Sequence, residues 1–143
     1  MVDDEAGGWV AASRAQVLRF AEERFGTQAD YPWRDKPEYA VLRHARNGKW
    51  YGLILPLPQA KLKGKGDALL EVMNVKCGAQ MVDILLAVPG VYPAWHMNKD
   101  HWVSVVLAEV SAAAAEEWLA DSFRLTSGAG KRARSAAGNG SPG

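Results

Sequence analysis

The 143-residue sequence predicts an α+β fold, a two-layer sandwich with helices packed on one face of an antiparallel sheet. Three observations carry that reading. Two strand-like runs meet at Asn47-Gly48, a pair that favours a type I′ hairpin turn and therefore antiparallel pairing. Apolar residues recur at helical spacing near both ends of the folded part. Between them the pattern alternates strands with one short helix, so the expected order is α-β-β-β-α-β-α, without an internal repeat.

The elements follow in order. Residues 1–8 are acidic and Gly-containing and are expected to fray. Over 9–25 the residues Val10, Val17, Leu18, Ala21 and Phe25 form one apolar stripe, and Gly26 is a natural stop. Residues 27–38 hold two prolines and read as a connector that Tyr31 and Trp33 pin to the core. Runs 39–46 and 49–57 are the two arms of the hairpin, and Pro56 and Pro58 are expected to end the second arm. Residues 59–67 place Lys61, Lys63 and Lys65 at alternate positions in a Gly-bearing loop. Such a loop is either solvated or a flexible phosphate-contacting finger.

Residues 68–76 predict a third strand, with Leu70, Val72, Asn74 and Lys76 on one side and Leu69, Glu71, Met73 and Val75 on the other; neither face is cleanly apolar, which leaves its orientation open. Residues 78–88 predict a short helix with Met81, Ile84, Leu85 and Val88 on its buried stripe, stopped by Pro89-Gly90. Residues 91–99 read as an irregular loop and 101–107 as a strand rich in β-branched residues. Ser111 caps a last helix through about 125, with Trp118, Leu119, Ser122 and Phe123 on one face. The stretch 127–143 is low-complexity and basic, with no aliphatic residue larger than alanine, and predicts disorder. One folded domain, 9–126, is the result.

Composition narrows the function. The formal net charge is +1, so the chain as a whole is no strong polyanion binder. All 16 acids precede residue 127, whereas Lys131, Arg132 and Arg134 follow it without an acid. One cysteine excludes an internal disulfide and suits a reducing compartment. The N-terminus lacks a basic and apolar leader, and no apolar run approaches a bilayer span, so a cytoplasmic protein is expected.

The chemistry-bearing residues crowd into Asn74 to Trp102. Lys49 opens the second strand, Lys76 closes the third and Lys99 precedes the fourth, so these strand ends could converge at one edge of the sheet. With Trp95, His96, Asn98 and His101 they make a basic and aromatic surface suited to phosphates and bases, and Trp102 could add a stacking ring. Turn chemistry alone would also explain Asn98, and Trp102 could be core instead. Cys77 follows a strand and precedes a helix, where a thiol could be activated. A lone cysteine is more often a small buried apolar group. His96 and His101 are five apart without an acid or thiol at ligand spacing, so no metal site is expected. Gly64-Lys65-Gly66 lacks the rest of a phosphate-binding loop. Ser122, between Trp118 and Phe123, reads as a core-facing hydroxyl bonded to backbone.

Four segments, GKWYGLIL (48–55), NVKC (74–77), GVYPAWHMNKDHW (90–102) and DSFRLT (121–126), resemble the MmcQ/YjbR family in the same order. The resemblance spans roughly 10–126 and omits the 59–67 loop and the tail. It implies a CyaY-like α+β sandwich and a DNA-binding role of the kind described as a double wing. The iron chemistry of CyaY-like folds would need clustered acids on the first helix. Here Glu22 and Glu23 stand among Arg14, Arg19 and Arg24, so fold likeness does not carry that function.

The expected protein is thus a non-enzymatic cytoplasmic monomer, without cofactor, metal or membrane contact. It would bind DNA weakly and with little regard to sequence through Lys49, Lys76, Trp95, His96, Asn98, Lys99 and His101. The alternative is an adaptor holding a small anionic ligand or an acidic or phosphorylated peptide near Cys77, His96, Asn98 and Lys99.

Overall fold

The first helix, α1, spans Arg14–Phe25 and begins where its cap dictates. The Ser13 hydroxyl accepts the Gln16 amide at 3.1 Å, and the Gln16 side chain accepts the Ser13 amide in return, which satisfies two orphan donors at once. The expected start at residue 9 is therefore too early. Trp9 and Val10 are exposed, and this segment is instead tied to the start of the last helix by Ala12 N–H to Val110 O and Ala112 N–H to Val10 O. Gly26 closes α1 in the left-handed region, φ 70°. The structure, a computed structural model, describes residues 9–128, so the readings of 1–8 and of nearly all the tail fall outside it.

Strand β1 is Ala40–Arg43 and β2 is Trp50–Pro58. They pair antiparallel as expected, but the turn is not type I′. Among the described residues His96 is the only non-glycine at positive φ, so of Asn47 and Gly48 only the glycine is left-handed. The chain reverses over four residues instead, closed by His44 N–H to Lys49 O and Gly48 N–H to His44 O. The reason lies in the Asn47 side chain. Its Oδ1 accepts the Lys49 amide and its Nδ2 donates to the Thr126 and Ser127 carbonyls, which end the last helix. Pro58 ends β2 as expected, whereas Pro56 lies inside it. The partner β1 reaches only to Ile54, so the outer edge of β2 at Pro56 owes no strand a donor.

The expected lysine loop contains a single-turn helix, α2, Gln59–Lys63, with Gly64 as its left-handed cap. Lys63 is no free finger, because its Nζ meets Glu109 Oε2 at 2.6 Å. Strand β3, Leu69–Lys76, lies between β2 and β5 in the order β1-β2-β3-β5-β4. That central place explains its two apolar faces: Met73 and Val75 pack toward the helices, and Val72 packs on the other side.

A 3₁₀ turn, Ala79–Met81, precedes α3, Val82–Leu86. The change from three residues per turn to 3.6 shifts the helical phase. The buried stripe is thus Val82, Leu85, Leu86 and Val88, while Met81 and Ile84 stay exposed. Part of the expected loop is a short edge strand, β4, Val91–Pro93, paired with β5, Trp102–Val106. The last helix, α4, is Ala112–Thr126, capped by Ser111 as the sequence suggests.

The result is an α+β fold with a five-stranded antiparallel sheet. α1, α3 and α4 cover one face over a core that includes Val17, Leu42, Ile54, Val105 and Leu119. α4 comes close: a Cβ on Gly52 would stand 3.1 Å from Leu119. The other face is not bare. Val41, Leu55, Leu57 and Val106 lie beneath Trp33, Tyr39, Trp50, Leu62, Tyr92 and Trp95. No helix of the described residues is long and apolar enough to cross a membrane.

Candidate functional site

Antiparallel pairing decides where the candidate residues go. β2 begins, β3 ends and β5 begins at the same end of the sheet, because Leu53 pairs with Asn74 and Lys76 with Trp102. Lys49 stands just before β2, Lys76 closes β3, and Lys99 and His101 lie just before β5. One end of the sheet therefore carries all four, and the carboxyl end of α4 reaches it too, held by Asn47.

Lys49 and Lys76 form the tightest part. Lys76 is half-buried, and its ammonium pKa is lowered, first by that burial and then by the charge of Lys49 nearby. Neither lysine has a carboxylate within ion-pair distance among the described residues, whereas Arg124 on α4 is already tied to Asp121 at 2.8 Å. The backbone under Lys76 is fixed from below. Its N–H donates to Ser122 Oγ at 2.9 Å, and that hydroxyl donates to the Tyr51 carbonyl at 2.7 Å.

The loop 94–101 is pinned just as firmly. The Trp95 N–H donates to Ser104 Oγ, the Ser104 hydroxyl donates to Asn74 Oδ1, and Asn74 Nδ2 donates to the Trp95 carbonyl. Asn74 and Ser104 are fully buried, and this closed circuit is what satisfies them. It holds the next residue, His96, at φ 62°, with its ring 3.7 Å from that of Trp95. Asn98 makes the turn its type suggests: its Oδ1 accepts the Asp100 amide and its carbonyl the His101 amide. His96, Asn98, Lys99 and His101 are exposed, but no hydrogen bond or ion pair joins them to Lys49 or Lys76. Trp102 is only 3 % exposed, so it is core and offers no face to a base.

Cys77 is buried, and burial pushes its thiol pKa up, the reverse of what a nucleophile needs. A cavity of ≈ 240 Å³ beside it is lined by Lys76, Met81, Leu85, Trp118 and Asp121 among others, and His96, Asn98 and Lys99 take no part in it. The cleft expected to unite those three with Cys77 is thus not the one the fold builds. Among the described residues no three His, Cys, Asp or Glu side chains gather at metal-binding distance.

Two groups escaped the sequence reading. His44 is buried with Nε2 2.8 Å from Thr126 Oγ1, and its pKa is lowered mainly by burial, with Arg46 and Lys49 adding to the effect. Arg46 shares that turn. Asn74 and Ser104 carried a readable signal, since a polar residue inside an apolar strand needs an internal partner.

The relatives agree with this architecture. YyaQ of Bacillus subtilis (strain 168), described as an uncharacterized protein, is 40% identical over 95 residues, 66% of this chain and 80% of its own. A crystal structure of a protein from Pseudomonas syringae matches with TM-score 0.77 at 39% identity, covering 80% of this chain and 98% of that one. The Deinococcus radiodurans protein DR2400, with a DUF419 domain, matches at TM-score 0.62 and 20% identity over 82% of this chain and 80% of its own, a likeness of fold. The YjbR family model matches residues 23–125, which contain β1 to β5 and nearly all of α4, and the chain belongs to the YjbR family.

Proposed function

We propose that this protein is a non-enzymatic nucleic-acid-binding protein that grips phosphates at the lysine-bearing end of its sheet. The observation that carries the reading is the pair Lys49 and Lys76, near enough for one charge to lower the other's pKa, without a carboxylate at ion-pair distance among the described residues, and one of them partly desolvated. Such a pair is unfavourable until an anion joins it. A phosphate supplies that charge, and successive phosphates would extend the contact to Lys99 and His101 on the neighbouring loop.

Two facts add support. The chain leaves the described fold beside Lys49, since a Cβ on Gly128 would lie 3.9 Å from its Nζ, and the sequence soon continues with Lys131, Arg132 and Arg134. Trp95 and His96 offer partly exposed rings to a base. Few groups that read base edges accompany them, so binding is weak, salt-dependent and sequence-tolerant. The protein acts as a monomer in the cytoplasm, where its single cysteine stays reduced.

Fluorescence anisotropy with labelled duplex and single-stranded oligonucleotides at low salt tests this. Binding should appear at micromolar protein and weaken steeply with added salt, and Lys49→Gln with Lys76→Gln should flatten the salt dependence. No binding at tens of micromolar protein sinks the reading.

A further inference from the structure

A second cleft, of ≈ 370 Å³, opens between the end of α1 and the β1–β2 turn. Phe25, Thr27, Arg43, His44, Arg46 and Phe123 line it, and neither Lys49 nor Lys76 does. One wall is aromatic. The rings of Phe25 and Phe123 stack at 3.9 Å and 8°, and His44 leans on Phe123 at 4.2 Å.

The other wall is cationic, and no carboxylate lines the cleft. Arg43 gives one nitrogen to Asp30 at 2.8 Å, yet its Nε is buried with no acceptor. A buried donor without a partner is costly, so Arg43 gains from any rearrangement that brings that nitrogen an acceptor. Arg46 is exposed and has no ion pair among the described residues. Thr27 Oγ1 accepts the Tyr51 hydroxyl at 2.5 Å, so its own proton is free to donate.

We propose that this cleft binds a small aromatic carboxylate, its carboxylate on Arg43 and Arg46 and its ring against Phe25 and Phe123. Guanidinium groups present planar pairs of donors that match a planar carboxylate, as ammonium groups do not. The cavity is in the range that holds small organic ligands. The site is separate from the lysine pair and does not rest on the nucleic-acid reading.

The test is an amide chemical-shift titration of the full chain with benzoate, benzyl alcohol and acetate. Benzoate shifts the amides of Gly26, Gln28, Ala45 and Arg46, with a dissociation constant of about a millimolar or below. Benzyl alcohol, lacking the charge, and acetate, lacking the ring, each bind at least about tenfold more weakly. Arg46→Gln, an exposed change that leaves the fold intact, weakens benzoate about tenfold. Lys76→Gln leaves it unchanged, which separates this site from the phosphate-binding one. The proposal is overturned if benzoate produces no shift, if either truncated probe matches it, if Arg46→Gln has no effect, or if benzoate affinity follows Lys76.

Discussion

The Ser122 hydroxyl donates to the Tyr51 carbonyl at 2.7 Å, and the same oxygen accepts the Lys76 amide at 2.9 Å. The β2–β3 register continued past Leu53 and Asn74 sets Tyr51 opposite Lys76. A helix side chain thus stands where a ladder bond would be, next to the irregularity at Arg43 and Trp50. Ser122→Ala leaves a buried donor and a buried acceptor unpaired and should cost about 3 kcal/mol. Urea unfolding measures the loss, and hydrogen exchange at the Lys76 amide should quicken. A change of less than about 0.5 kcal/mol, the range of ordinary surface substitutions, would mean that the strands close on their own.

Lys76 is the place where stability and binding should oppose one another. Its folded pKa lies below 10.5, through burial and Lys49, so the fold disfavours the charged form. The unfolded chain then binds more protons in the window just below 10.5, and stability rises with pH there. At neutral pH the charge is a net burden, and Lys76→Met should raise stability by about 0.5 to 1 kcal/mol. The same variant should lose affinity for oligonucleotides and flatten the salt dependence. A variant that is less stable and binds equally well would show that the ammonium serves the fold and not a ligand.

What could be read in advance follows from what periodicity reports. Ser111 and Gly26 punctuate their helices as their types demand, and the hairpin arms pair as Asn47-Gly48 suggests. Periodicity is blind to long-range competition. Asn47 abandons the two-residue turn because the end of α4, some 80 residues on, offers its amide two carbonyls. Val10 and Ala12 leave the first helix because backbone groups at Val110 and Ala112 claim theirs. Lys49, Lys76, Lys99 and His101 share a sheet end because strand order places them there. The same logic buries Trp102, since its strand is covered on both faces. The cleft at Arg43 and His44 had no local signal, because its walls come from three separate elements.

His44 gives the fold a dependence on acid. It is buried, and its pKa is lowered from 6.5, chiefly by that burial and further by Arg46 and Lys49, against the opposing effect of the Phe123 carbonyl. Below 6.5 the unfolded chain takes up a proton that the folded chain refuses, so stability falls as pH drops from 6.5 to the lower folded pKa. It is fully present above 6.5. His44→Gln keeps a donor for Thr126 without the titration, and its stability should be nearly flat across that window. Urea midpoints at pH 7.5 and 5 compare the two proteins. Equal acid sensitivity in the variant would assign the effect to other groups.

His96 carries backbone strain that can be measured. At φ 62° a side chain crowds its own carbonyl, a cost of about 1 to 2 kcal/mol that glycine escapes. Trp95 cannot relax to relieve it, because Ser104 and Asn74 hold both its amide and its carbonyl. Elsewhere in a folded chain alanine is favoured over glycine, since glycine has more freedom to lose. At this position the order should reverse, with His96→Gly more stable than His96→Ala by about 1 kcal/mol. Both variants lose the Trp95 contact equally, so their difference isolates the backbone. If alanine proves as stable as glycine, the loop turns without strain. If the order reverses, the circuit of Asn74, Ser104 and Trp95 is what keeps a strained histidine presented beside Lys99 and His101.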